Sequence, residues 1–142
     1  MKKTIFLAAA CFALSFTVKA QCDKNIKWIS SKSEFIDTAS GNVDRSKDES
    51  VELTASSKKV SIILKGEHSD SMTGDVTDYS CNWQDQQNGK IVFKSMLTDK
   101  EGEVRHATIT IEKAADKITA LLKAEEEPTL IRLTIDSFEE AK

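Results

Sequence analysis

His106-Ala107-Thr108-Ile109-Thr110-Ile111 sets an apolar side chain at every second position, with a polar or hydroxyl-bearing one between. Successive side chains of an extended strand point to opposite faces, so this period of two predicts a strand with one face buried and one wet. The same grammar continues in both directions. Toward the C-terminus come Ile118-Ala120-Leu122, then Ile131-Leu133-Ile135 set against Arg132, Thr134 and Asp136. Toward the N-terminus, Ile91, Phe93 and Leu97 share a face, and Tyr79, Cys81 and Trp83 share another opposite Asp78, Ser80 and Asn82. Val60-Ile62-Leu64 and Val51-Leu53-Ala55 complete the series. β-branched residues crowd these runs, as a half-buried pleated surface favours.

The joints between the runs fit. Asn88-Gly89 is a tight-turn dipeptide that tolerates positive φ. Asp99-Lys100-Glu101-Gly102 reads as a type I turn ending in a glycine suited to the left-handed conformation. Gly66 and Pro128 mark two further breaks, and Ser56-Ser57-Lys58-Lys59 another turn. Short strands about ten residues apart predict an all-β fold: an antiparallel meander of about eight strands, closed as a small barrel or a sandwich to hide its apolar face. Thr38 to Ser50 (TASGNVDRSKDES) reads as a long polar loop. Residues 24–37 are open between strand and a short helix; the Ser30-Ser31-Lys32-Ser33 interruption favours strand.

The opening of the chain follows another logic. Met1-Lys2-Lys3 is a short positive region, Ile5 through Phe16 an apolar stretch, and Val18-Lys19-Ala20 a set suited to signal peptidase, with the cut before Gln21. The apolar run is too short to span a bilayer, which takes about 20 residues. A lipoprotein cut before Cys22 is disfavoured by Gln21 and Lys19 ahead of it, and one before Cys11 by the apolar residues that continue past it. The expected organisation is a cleaved signal peptide, residues 1–20, and a single exported β domain, residues 21–142, either periplasmic or secreted.

Cleavage takes three lysines from the 20 basic residues and none of the 23 acidic ones, leaving a domain of 122 residues with a net charge of −6. Phosphate backbones and anionic lipid surfaces repel such a domain, which argues against nucleic acid and against membrane insertion. Two of the three cysteines remain, Cys22 and Cys81; an even count in an exported chain predicts one internal disulfide, with a free thiol or an intermolecular bridge as alternatives. Apolar residues make up about a third of the domain, a thin supply for a core and a ligand lining together.

Chemistry-bearing residues are sparse. There is no Gly-x-Ser-x-Gly and no Gly-rich phosphate loop, and a disulfide would consume the remaining thiols. Acids are plentiful, yet nothing selects a carboxylate pair for glycoside hydrolysis. His68, in GEHSDSMTGD with Glu67, Asp70 and Asp75, matches neither a zinc nor an EF-hand spacing. His106 falls on the polar face of its strand. Glu125-Glu126-Glu127 reads as a solvated turn, or alternatively as an acidic patch for a basic partner. No catalytic residue, cofactor or metal is therefore expected. Trp28, Trp83 and Tyr79 are the natural ligand-binding candidates, against the plainer reading that Trp83 packs on the disulfide.

Asp78-Tyr79-Ser80-Cys81-Asn82-Trp83, with the run from Ala107-Thr108-Ile109-Thr110-Ile111-Glu112 through Ile131-Arg132-Leu133, resembles a family of small exported bacterial proteins of unknown function. The resemblance implies no activity and transfers no functional residue. The expected architecture is also similar, at the level of fold, to lipocalin-like up-and-down barrels. These readings lead to a non-enzymatic binding protein that holds a small apolar molecule in a barrel mouth. The alternative is a protein-interaction module or inhibitor working in the envelope or outside the cell.

Overall fold

A computed structural model describes Cys22 and residues 24–66, 69–83 and 88–141. Among these, nine strands follow one another without a helix: β1 (Ile26–Asp37), β2 (Val43–Lys47), β3 (Ser50–Ala55), β4 (Lys59–Lys65), β5 (Asp70–Asn82), β6 (Asn88–Asp99), β7 (Val104–Ala114), β8 (Lys117–Ala124) and β9 (Thr129–Glu140). Each inward run of the sequence lies in one of them, save that Trp83 falls just past the end of β5.

All pairings are antiparallel, in the order β1-β3-β4-β5-β6-β7-β8-β9, and β9 returns to pair with β1 along nearly its whole length, from Ile26↔Glu140 to Asp37↔Thr129. That contact settles the choice between barrel and sandwich. The domain is an eight-stranded closed barrel with one extra strand, β2, paired to the far half of β1. Closure leaves no free edge in the barrel itself. The edge that β2 presents carries Asp44, Arg45 and Lys47, charges of the kind that discourage strand addition.

Residues 24–37, open at the sequence level, form one continuous strand. The Ser30-Ser31-Lys32-Ser33 interruption is a bulge within it, where the register to β9 shifts. A bulge strands backbone polar groups, and local side chains take them up here. The Ser30 hydroxyl donates to the Lys32 carbonyl at 2.8 Å and accepts from the Lys32 N–H at 3.3 Å, while an Asp136 carboxylate oxygen accepts from the Ser31 N–H at 2.8 Å.

Two expectations need correction. The stretch Thr38–Ser50 is not all loop, because it contains β2. All five residues of that strand are exposed, so it carries no apolar alternation and is held by its backbone pairing to β1. Asn88-Gly89 is not a turn with positive φ but the first pair of β6. Gly89 is needed for another reason: a Cβ there would lie 2.1 Å from Trp83 Cδ2, so only a glycine lets the indole lie flat on the strand. The Asp99–Gly102 turn forms as expected. Gly102 has φ +84°, and Asp99 Oδ1 accepts the N–H groups of Glu101 and Glu103, each at 2.9 Å.

The interior is filled by the alternating residues predicted to face inward, among them Leu53, Ile62, Phe93, Ile109, Ile111, Ala120 and Leu133. Cys22 and Cys81 are joined, with their Cα atoms 5.6 Å apart, so the disulfide pins the start of the domain to β5 across 59 residues of sequence.

Candidate functional site

The two ends of the barrel differ because the large side chains are unevenly distributed. At the end where β1 starts and β9 finishes, Trp28 lies 5.8 Å from Trp83 and 5.1 Å from Phe138, ring centroid to centroid. Tyr79 stacks near Phe93 at 6.3 Å, and its hydroxyl donates to the Cys22 carbonyl at 3.2 Å. These rings and the adjacent disulfide stop that end. Trp28 and Trp83, the candidates for a ligand anchor, are only 1 % and 5 % exposed. The structure thus brings Trp28, Trp83 and Tyr79 together, but as core packing on the disulfide side, and none of them lines the cavity described next.

Past Trp28 the next inward residues of β1 are small, Ser30 and Ser33, both fully buried, with Phe35 beyond them at the rim. Space is left above them. A cavity of about 800 Å³ opens there between the β2–β3, β4–β5, β6–β7 and β8–β9 connections. Its floor and walls are Val51, Ile62, Leu64, Met72, Leu122, Ile131 and Leu133, with Phe35 near the rim. An eight-stranded barrel is just wide enough to be filled by side chains or to hold one small ligand. This one is filled at one end and hollow at the other.

Strand pairing extends the cup wall outward. Phe35 lies between Arg45 on β2 and Ile131 on β9, and Ile131 in turn lies opposite Leu122 on β8. Directly opposed residues of antiparallel strands share a face, so Arg45, Phe35, Ile131 and Leu122 form one row across four strands. Lys47, Ser33, Leu133 and Ala120 form the parallel row beneath it. The Arg45 guanidinium carbon stands 4.3 Å from the Phe35 ring centroid, and the Lys47 ammonium 5.6 Å from it, both within cation–π range.

The rest of the rim is charged and largely self-satisfied. Arg105, on the inward parity of β7, bonds Glu127 at 3.3 Å and approaches Glu103 at 3.7 Å. The Ser33 hydroxyl donates to Glu49 at 3.4 Å. Just outside the rim, His106 Nδ1 and Glu126 Oε1 are 2.6 Å apart, and the same carboxylate accepts the His106 backbone N–H at 3.0 and 3.1 Å. The hydrogen bond and charge of Glu126 raise the imidazole above its ordinary 6.5, and the imidazole holds Glu126 below 4.5. The glutamate run is the exposed turn expected and also a latch: Glu126 grips β7, Glu127 grips Arg105, and the Lys123 ammonium donates to the carbonyls of Ala124 and Glu127.

Sequence reasoning missed the cup residues. Leu64 and Ile131 end inward runs, but nothing in the alternation says that the space above them is unfilled. Arg45 and Lys47 lie in a stretch whose polar sequence reads as loop, and Phe35 in residues 24–37, whose sequence leaves strand and helix open. His68 and Glu67 lie outside the described residues. Asp70 and Asp75 belong to β5, and among the described residues no group of three or more His, Cys, Asp or Glu is placed to hold a metal ion. Among them, too, no helix is long and apolar enough to cross a membrane. No family model, curated protein or solved structure matches the chain.

Proposed function

We propose that this is an exported, non-enzymatic binding protein, periplasmic or secreted, that holds one small, mainly apolar molecule in the open end of its barrel. The observation that carries the reading is the half-filled interior. A cup of about 800 Å³ with an aliphatic floor and a charged rim lies within the usual 300–1,000 Å³ of small-molecule sites. Aliphatic walls give such a site affinity through the area they take out of water, and the polar rim orients the guest. The export reading is supported by the first twenty residues and by a disulfide, which persists in an oxidising compartment.

Native mass spectrometry of the protein purified from its own host, followed by titration with the uncharged dye Nile red, tests this. One co-purifying small mass or one bound dye per chain is expected. Met72→Trp fills the cup wall and should weaken dye binding about tenfold, a loss of roughly 1.4 kcal/mol. A bare protein that ignores the dye would end the proposal. Intrinsic tryptophan emission is a poor reporter here, since both indoles lie at the stoppered end.

A further inference from the structure

The row Arg45–Phe35–Ile131–Leu122 is polar at one end and greasy at the other, and its charge is unspent. No carboxylate among the described residues forms an ion pair with Arg45 or Lys47, although their face is the one that continues into the cup. Ser46 alternates with them and falls on the opposite face, while Asp44 is the extra residue of a bulge in the β1–β2 pairing. The mouth also carries acids: Glu127 pairs with Arg105, while Asp99, Asp70 and Glu49 accept neutral donors, and Asp48 and Glu101 form no ion pair among the described residues. The rim as a whole is mixed in charge; the β1–β2 flap is where two cations without a carboxylate partner stand beside an aromatic ring, at the edge of an aliphatic floor.

From this juxtaposition we infer that the ligand is an anionic amphiphile: a single apolar tail on the floor of the cup and an oxyanion head, such as a carboxylate, between Arg45 and Lys47. The inference rests on the cup being a binding site. Arg45 supplies a planar fork matched to a carboxylate, and its stacking on Phe35 holds that fork over the opening. Lys47 supplies a second, less directional charge.

Isothermal titration calorimetry of the purified disulfide-bonded protein with decanoate, decan-1-ol and decyltrimethylammonium separates the possibilities, because the three share a tail and differ in head group. Decanoate should bind about ten times more tightly than decanol, as a charge-assisted hydrogen bond at a partly exposed site allows. The double variant Arg45→Gln/Lys47→Gln, confined to exposed positions, should lose that preference while binding decanol as before. Equal binding of decanoate and decanol, or preference for the ammonium, overturns the head-group assignment and leaves the cup standing. A decanoate preference that survives the double variant overturns the choice of residues. If no tail binds at all, the cup reading falls and takes this one with it.

Discussion

Gly89 shows how one missing methyl group closes one end of the barrel. The Trp83 indole rests where a Cβ would be, with three ring atoms between 2.1 and 2.6 Å from that position, and no flexible chain end is available to yield. Gly89→Ala should therefore destabilise the domain by about 2 kcal/mol in urea unfolding, the usual cost of overpacking a well-filled core. In the background of Trp83→Leu, which removes the ring, the same change should cost much less, a non-additivity that marks direct contact. Equal costs in both backgrounds would show that the ring does not rest on Gly89. Asn88-Gly89 reads as a turn from the sequence because glycine's commonest use is positive φ, whereas here it serves a close approach. Only the position of a side chain six residues earlier distinguishes the two.

Among the elements, the β8–β9 connection has a hold that depends on pH from both sides. His106 sits above its unfolded value of 6.5 and Glu126 below its unfolded 4.5, each chiefly because of the hydrogen bond between them. The raised histidine contributes stability that is complete below pH 6.5 and is lost as pH rises through its folded value. The lowered glutamate contributes above pH 4.5 and is lost as pH falls through its own. The latch is thus strongest between about pH 4.5 and 6.5. Both groups are open to solvent, so the effect is small. In thermal melts the advantage of the native protein over His106→Gln should be greater at pH 5.5 than at pH 8.5; the reverse order would contradict the pairing. The glutamate run was legible as acidic and as a turn, but its grip on β7 was not, because His106 lies 20 residues away and only the β7–β8 hairpin brings the two together.

For the molecule as a whole, the disulfide ties the leading end of the domain to β5, closing a loop between cysteines 59 positions apart. On the chain-entropy account this stabilises the fold by about 4 kcal/mol. Cys22→Ala/Cys81→Ala should lower the urea midpoint accordingly, while leaving Nile red affinity little changed, because the bridge and the cup lie at opposite ends of the barrel. A variant that stays folded but loses dye affinity would show that the two ends are coupled.

What could be read from residue order was whatever repeats along the chain. Period-two alternation assigned seven inward runs to strands, Cys22 and Cys81 had a single internal pairing available, and Asp99–Gly102 announced its turn. These are local or combinatorial properties, carried by neighbouring side chains. The closure of β1 onto β9, the strand hidden in Thr38–Ser50 and the hollow above Ser30 and Ser33 are not of that kind. Whether an inward side chain touches another or borders empty space depends on volumes contributed by strands a hundred residues apart, and no periodicity records that sum. Arg45 and Lys47 gain a role only because backbone pairing, which is indifferent to side-chain identity, sets them beside Phe35.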